Sequence, residues 1–254
     1  MNSDILLVYP IINVIVTGLF AGVVLRQYLR RHRTYQFFWA IALLMAFFAS
    51  LAYVAMILVH PTSEPGVLFF HIYYILGGAL IAAWLGLGSI ALVTSARFTR
   101  LCLVVLCVLS ALAVLLIAFA TVDKGQLSQI AGTPGTAILQ PAVGPWLITI
   151  IILNTLGAAA VAGVAIYSAW QVKRRQGSST LFGANILILA GTLTIALAGT
   201  TARLGVKNIF WLVMALGWTV FFIGVLLTSR ARRPATPAKQ EGQQNNVGAL
   251  HSTT

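Results

Sequence analysis

Seven long apolar runs without an acidic side chain constrain this sequence more than any other feature. A helix needs about 20 mainly apolar residues to cross the roughly 30 Å hydrocarbon layer of a bilayer. Runs of this length, bounded by charge, Pro or Gly, cover residues 5–25, 37–59, 68–94, 101–121, 145–170, 181–202 and 209–227. Because backbone polar groups in lipid must be satisfied internally, the sequence predicts an all-α, polytopic bundle of seven transmembrane helices.

Basic residues are divided unequally between alternate connections, and this division predicts the orientation. Short flanks rich in Lys and Arg stay in the cytoplasm. The richer set contains Arg26, Arg30, Arg31, Arg33, Arg97, Arg100, Lys173, Arg174, Arg175, Arg230, Arg232, Arg233 and Lys239. The other set contains only Lys124, Arg203 and Lys207. We therefore expect a protein of the cell (cytoplasmic) membrane with its N-terminus and the 122–144 loop outside and its C-terminus in the cytoplasm.

The chain is expected to divide into a membrane domain, residues 1–229, and a disordered basic cytoplasmic tail, residues 230–254. The tail is polar and offers almost no apolar surface to bury, which is typical of disorder. The first apolar run is followed at once by Arg26 and Arg30, which indicates a stop-transfer flank rather than a cleaved signal peptide.

Composition and spacing argue against several classes of function. The formal net charge is +12, yet its basic residues flank apolar runs rather than forming one soluble face, so no nucleic-acid partner is expected. The spans contain neither paired carboxylates nor a His cluster, so an enzyme is the least favoured class. Cys102 and Cys107 point to different sides of one helix and suggest no metal site. We expect no cofactor.

Three spans carry stripes of small and weakly polar residues at helical spacing, which should face into the bundle. They are His71, Gly78, Ala82 and Ser89 in the third span; Asn154, Ala158, Ala165 and Ser168 in the fifth; and Asn185, Thr192, Ala196, Gly199 and Arg203 in the sixth. Such stripes favour close helix packing, with Gly199 against a neighbouring helix. The alternative is a ligand-lining role, for which the candidate residues are His71, Asn154, Asn185, Thr192 and Arg203.

Three residues, His71, Arg203 and Lys207, are expected near the outer surface, where they could meet Tyr73 or Tyr74. Snorkelling of the two cations to lipid headgroups is the favoured interpretation. The alternative is an outward pocket for an anionic or polar group, with His71 as hydrogen-bond partner and Arg203 as counter-charge.

Two segments, YYILGGALIAAWLGLGSIAL in the third span and ANILILAGTLTIALAGTTARLG in the sixth, resemble parts of uncharacterised bacterial multi-pass, seven-helix membrane proteins. The resemblance covers two spans and implies no catalytic or binding residue. Two functions stay open. One is a non-catalytic, sensor-like or assembly module, with a membrane-protein partner and anionic lipid at its basic inner face. The other is a carrier for a small or lipid-like molecule, lined by Asn154, Asn185 and Thr192.

Overall fold

Helices form most of the described chain. The computed structural model describes residues 3–203 and 209–231. Within them, seven helical stretches are long and apolar enough to cross a membrane, which indicates a multi-pass membrane protein. This architecture agrees with the predicted all-α bundle. The last helix runs to Ala231, just past the predicted domain boundary, and the rest of the predicted tail lies outside the described residues.

The elements follow the predicted order, with one irregular span. The helices are α1 (Ser3–Arg31), α2 (Thr34–Leu58), α3 (Glu64–Tyr73), α4 (Ile81–Val93), α5 (Ala96–Ala118), α6 (Lys124–Leu127), α7 (Pro145–Arg174), α8 (Ser179–Arg203) and α9 (Phe210–Ala231). A π-helical segment, Tyr74–Leu80, joins α3 to α4 within one span. Two short strands, β1 (Thr121–Val122) and β2 (Leu139–Gln140), pair antiparallel.

Local sequence explains where several helices begin. The Ser63 hydroxyl accepts a hydrogen bond from the Gly66 backbone N–H at 3.1 Å and caps α3. Helix α7 begins at Pro145, whose fixed φ suits the first helical turn. Helices α1 and α7 extend past their apolar runs into basic flanks, because the long polar side chains there favour helix and reach water.

Short connections make consecutive spans antiparallel, so the bundle has two different ends. The basic end carries Arg30, Arg31, Arg33, Arg97, Arg100 and the 173–175 cluster. The loop end carries the α2–α3 turn and the segment between α5 and α7, named here loop 119–144. In the described part, α1, α2, α4, α7, α8 and α9 each contact the next, and α9 returns to α1. Helix α5 packs outside this ring, against α4 and α7.

Glycines bring two pairs of helices into close contact. A Cβ added to Gly157 of α7 would overlap the backbone of Ala82 on α4. A Cβ on Gly191 of α8 would lie 2.6 Å from the backbone nitrogen of Phe221 on α9. These contacts match the use of small residues at membrane helix crossings.

The expected close packing at Gly199 is wrong. A Cβ added there would meet no described atom within 4 Å. The reason is geometric: six helices in a ring leave space at the centre, and this part of α8 faces that space rather than a neighbouring helix.

We predict that a Gly→Ala substitution has different effects on stability at a closely packed glycine and at a glycine that faces the cavity. Gly157→Ala should lower the free energy of unfolding by about 1–3 kcal/mol, because the added methyl group overfills a packed crossing. Gly199→Ala, the matched control, should leave stability unchanged or raise it by up to about 1 kcal/mol, because alanine favours the helix and meets open space. Denaturant unfolding in detergent measures both. Equal losses at the two positions would contradict the packing described here.

A central cavity as candidate functional site

A cavity of about 420 Å³ lies inside the ring, toward the loop end. Its walls come from α1, α2, the α3–α4 span, α7, α8 and α9, and loop 119–144 contributes Pro134 and Thr136. This volume falls in the range of roughly 300–1,000 Å³ found for small-molecule sites. The described lining residues carry no charged side chain.

Parts of the three predicted stripes meet at this cavity. Gly78 and Ala82 line it from the third span, Asn154 and Ala158 from α7, and Thr192, Ala196 and Gly199 from α8. Of these residues, Gly199 leaves space beside it, whereas Ala82 also lies at the close crossing of α4 with Gly157 of α7. The remaining stripe residues Ser89, Ala165 and Ser168 lie nearer the basic end and do not line it.

The five candidate ligand-binding residues do not form one group. Asn154 and Thr192 line the cavity, whereas His71 and Asn185 do not. His71 Nδ1 lies 2.9 Å from the Val67 carbonyl oxygen, and Asn185 Nδ2 donates to the Leu181 carbonyl oxygen at 2.8 Å. Both contacts stay within the residue's own helix. The Arg203 side chain and all of Lys207 lie outside the described residues, so the structure does not describe the proposed anion pocket.

The π-helical segment explains why His71 and Gly78 do not act together. Hydrogen bonds in a π-helix join residues five apart, so each turn takes more residues than in an α-helix. Residues that would share one face of a continuous α-helix therefore point in different directions before and after Tyr74–Leu80. The segment also places the Gly78 carbonyl oxygen where Asn154 Nδ2 donates to it at 2.7 Å, across the α7 interface.

Sequence reasoning missed Asn13 and Ser50, which line the cavity from α1 and α2. Asn13 Nδ2 donates to Ser50 Oγ at 2.8 Å, and Ser50 Oγ donates to the Ala46 carbonyl oxygen at 2.9 Å. Asn13 is only 1% exposed, and its Oδ1 has no hydrogen-bond partner in the described part of the chain. The available signal was an amide within an apolar run, the same signal that drew attention to Asn154.

Aromatic side chains supply much of the remaining wall. Tyr73 and Trp211 lie near the loop end, with ring centroids 5.9 Å apart. Trp218 and Phe221 lie deeper, with centroids 6.1 Å apart in an edge-to-face arrangement. The cavity thus combines broad apolar faces with a few amide and hydroxyl groups, a composition typical of small-molecule sites.

Loop 119–144 covers the cavity at the loop end. Its side chains Leu127, Ile130, Ile138 and Leu139 are each no more than 2% exposed and belong to the core. Two buried tyrosines hold its backbone: Tyr53 donates to the Ile130 carbonyl oxygen and Tyr73 to the Pro134 carbonyl oxygen, each at 2.9 Å. This end of the cavity is therefore bounded by a segment that belongs to the packed core.

No family model, no curated protein and no solved structure matches this chain. The resemblance of two spans to uncharacterised bacterial proteins therefore stays a prediction. The seven apolar helices of the described chain indicate a multi-pass membrane protein, the cavity is its candidate site, and function has to be argued from that site.

Proposed function

We propose that the protein is a non-catalytic, sensor-like membrane module that binds a neutral, largely apolar molecule in the central cavity. The observation that supports this function best is that Asn13 Oδ1 has no hydrogen-bond partner in the described part of the chain, in a chamber with mainly apolar and uncharged walls. A buried acceptor without a partner costs about 1–3 kcal/mol, which a ligand with a hydroxyl or N–H donor would recover.

The hydrogen bonds around Asn13 identify which atom is free. Ser50 has one hydroxyl proton, and that proton goes to the Ala46 carbonyl oxygen. Ser50 Oγ can then only accept, so the Asn13 group that faces it has to be the donor Nδ2. The carbonyl Oδ1 is therefore the Asn13 atom without a hydrogen-bond partner in the described part of the chain. A ligand group that bonds to this atom has to be a hydrogen-bond donor.

The walls favour a neutral ligand. A charge buried without a partner in an apolar environment is strongly disfavoured. The described lining residues offer no counter-ion for either sign of charge. An anionic ligand would need a cation from outside this set, which makes the anion-pocket hypothesis less well supported than a neutral amphiphile.

Binding is better supported than transport. Toward the basic end, Phe20, Trp39, Trp218 and Phe221 form a buried aromatic cluster below the cavity. Close packing at Gly191 and Gly224 holds α8 and α9 together there. A carrier would have to separate these contacts to release its ligand at the basic end. A sensor-like module would instead pass a change in ring packing to a membrane-protein partner.

We further propose that the basic end faces the cytoplasm, which places the cavity in the outer half of the membrane. The support is the concentration of Arg and Lys in the connections at that end. Anionic lipid of the inner leaflet would then lie against these residues.

Single-cysteine labelling tests this orientation. In a background of Cys102→Ala and Cys107→Ala, an impermeant thiol reagent added to intact cells should label Glu64→Cys and leave Ser178→Cys unlabelled until the cells are opened. Both positions are exposed and lie in or beside short connections at opposite ends of the bundle. Labelling of Ser178→Cys in intact cells would show that the orientation is reversed.

Photolabelling with a neutral single-chain alcohol tests the ligand site. The full chain, in phosphatidylcholine vesicles with a photoactivatable dodecanol, should be labelled on cavity-lining peptides of α7, α8 and α9. Asn13→Leu should reduce this labelling about fivefold, the ratio given by about 1 kcal/mol for one hydrogen bond. The matched control Asn185→Leu removes an amide that does not line the cavity and should label normally.

Competition by unlabelled ligands distinguishes the contribution of the hydrogen-bond donor from that of the alkyl chain. Unlabelled dodecanol should compete more strongly than its methyl ether, which has the same chain but no donor. Equal labelling of Asn13→Leu and Asn185→Leu would remove Asn13 from the site. Labelling confined to the lipid-facing surface would contradict the proposed function.

A further inference from the structure

The described lining residues of the cavity reach the bundle surface on one side. Among its described lining residues only four are exposed: Ile151 and Thr155 on α7, and Ala196 and Thr200 on α8. The described lining residues on α1, α2, the α3–α4 span and α9 are buried or half-buried. These four residues therefore both line the cavity and reach the outer surface of the bundle, so the wall of the cavity is thinnest there.

These four residues lie at one level on adjacent helices. Helices α7 and α8 are antiparallel and joined by the turn at 175–178, and Thr155 and Thr200 are nearly equally far from it along the chain. Gly199, at the same level, would meet no described atom within 4 Å if it gained a Cβ. The two helices are therefore separated near the loop end, where their small residues do not pack together.

We propose that the gap between Ile151, Thr155, Ala196 and Thr200, named here the α7–α8 portal, admits the ligand sideways from the lipid phase. This inference rests on the proposed function and specifies its ligand as a molecule dissolved in the bilayer. The surface beside the portal consists of lipid-type side chains, since Leu193 and Leu197 of α8 are 55% and 57% exposed.

Described elements cover the cavity at its two ends. At the loop end, Tyr53 and Tyr73 hold loop 119–144 over the site by hydrogen bonds to its backbone. Toward the basic end, the Phe20–Trp39–Trp218–Phe221 cluster fills the interior. A route from water would require movement of one of these packed elements, whereas the exposed lining residues lie at the portal.

The position of Asn13 predicts how the ligand is oriented in the cavity. Helix α1 lies across the ring from α7, so Asn13 is on the wall opposite the α7 side of the portal. A donor group that enters by the portal has to cross the cavity, whose walls include Trp211 and Trp218, to reach Asn13. The apolar part of the ligand then extends back toward the portal. This arrangement fits a single-chain amphiphile with a neutral head, such as a long-chain alcohol.

A reversible bridge across the portal tests the inference. In the Cys102→Ala, Cys107→Ala background, Thr155→Cys and Thr200→Cys are joined by a bifunctional methanethiosulfonate reagent that thiols remove. The control pair, Leu193→Cys and Leu197→Cys, lies one helical turn apart on the lipid-facing side of α8 and receives the same bridge. Photoactivatable dodecanol in phosphatidylcholine vesicles is the probe.

Bridging the portal before the probe is added should reduce cavity labelling to the background seen with excess unlabelled dodecanol, and reduction should restore it. Bridging after loading should retain the probe when protein-free acceptor vesicles are added. Bridging the control pair should neither reduce labelling of the cavity nor retain the probe. Unchanged labelling and release with the bridged portal would overturn lateral access while leaving the binding site intact. Absence of cavity labelling in the unbridged protein would contradict the proposed function and this inference together.

Discussion

The need to satisfy every backbone N–H and C=O group without water governs this structure. In hydrocarbon this requirement permits long helices and tolerates irregular backbone only where it is covered by protein or lines a cavity. The π-helical segment Tyr74–Leu80 obeys the second condition, because Gly77 and Gly78 line the cavity and Asn154 donates to the Gly78 carbonyl oxygen. The π-helical segment therefore forms part of the cavity wall, and the cavity is where its irregular backbone is tolerated.

Small residues serve two opposite purposes in the bundle. At Gly157 and Gly191 they let backbones approach until no Cβ fits, which fixes α7 on α4 and α8 on α9. At Gly199 the missing side chain leaves space, and the residue lines the cavity. The difference depends on what lies opposite each glycine. Close crossings therefore hold together the helices that border the open centre.

The sequence predicted the helices well, because span length and flanking charge follow directly from bilayer thickness. It predicted the inward stripes in part, since Asn154, Thr192 and Gly199 do face the centre. It could not show whether these stripes pack against a neighbouring helix or line a cavity, because small residues have the same helical spacing in both cases. His71 was misplaced since a π-helical segment shifts the phase of its span. The packed state of loop 119–144 was not predictable either, as Ile130 and Leu139 have no helical period.

The most direct test is to identify the molecule that stays bound to the protein when the protein is released from the membrane. Native mass spectrometry of the full chain, released from nanodiscs, should show about one bound neutral molecule with a hydroxyl or N–H group per protein. Asn13→Leu should lose that molecule, and Asn185→Leu should keep it. A cavity that is empty in every preparation, or one that retains an anionic lipid equally in both variants, would contradict a neutral ligand held by Asn13.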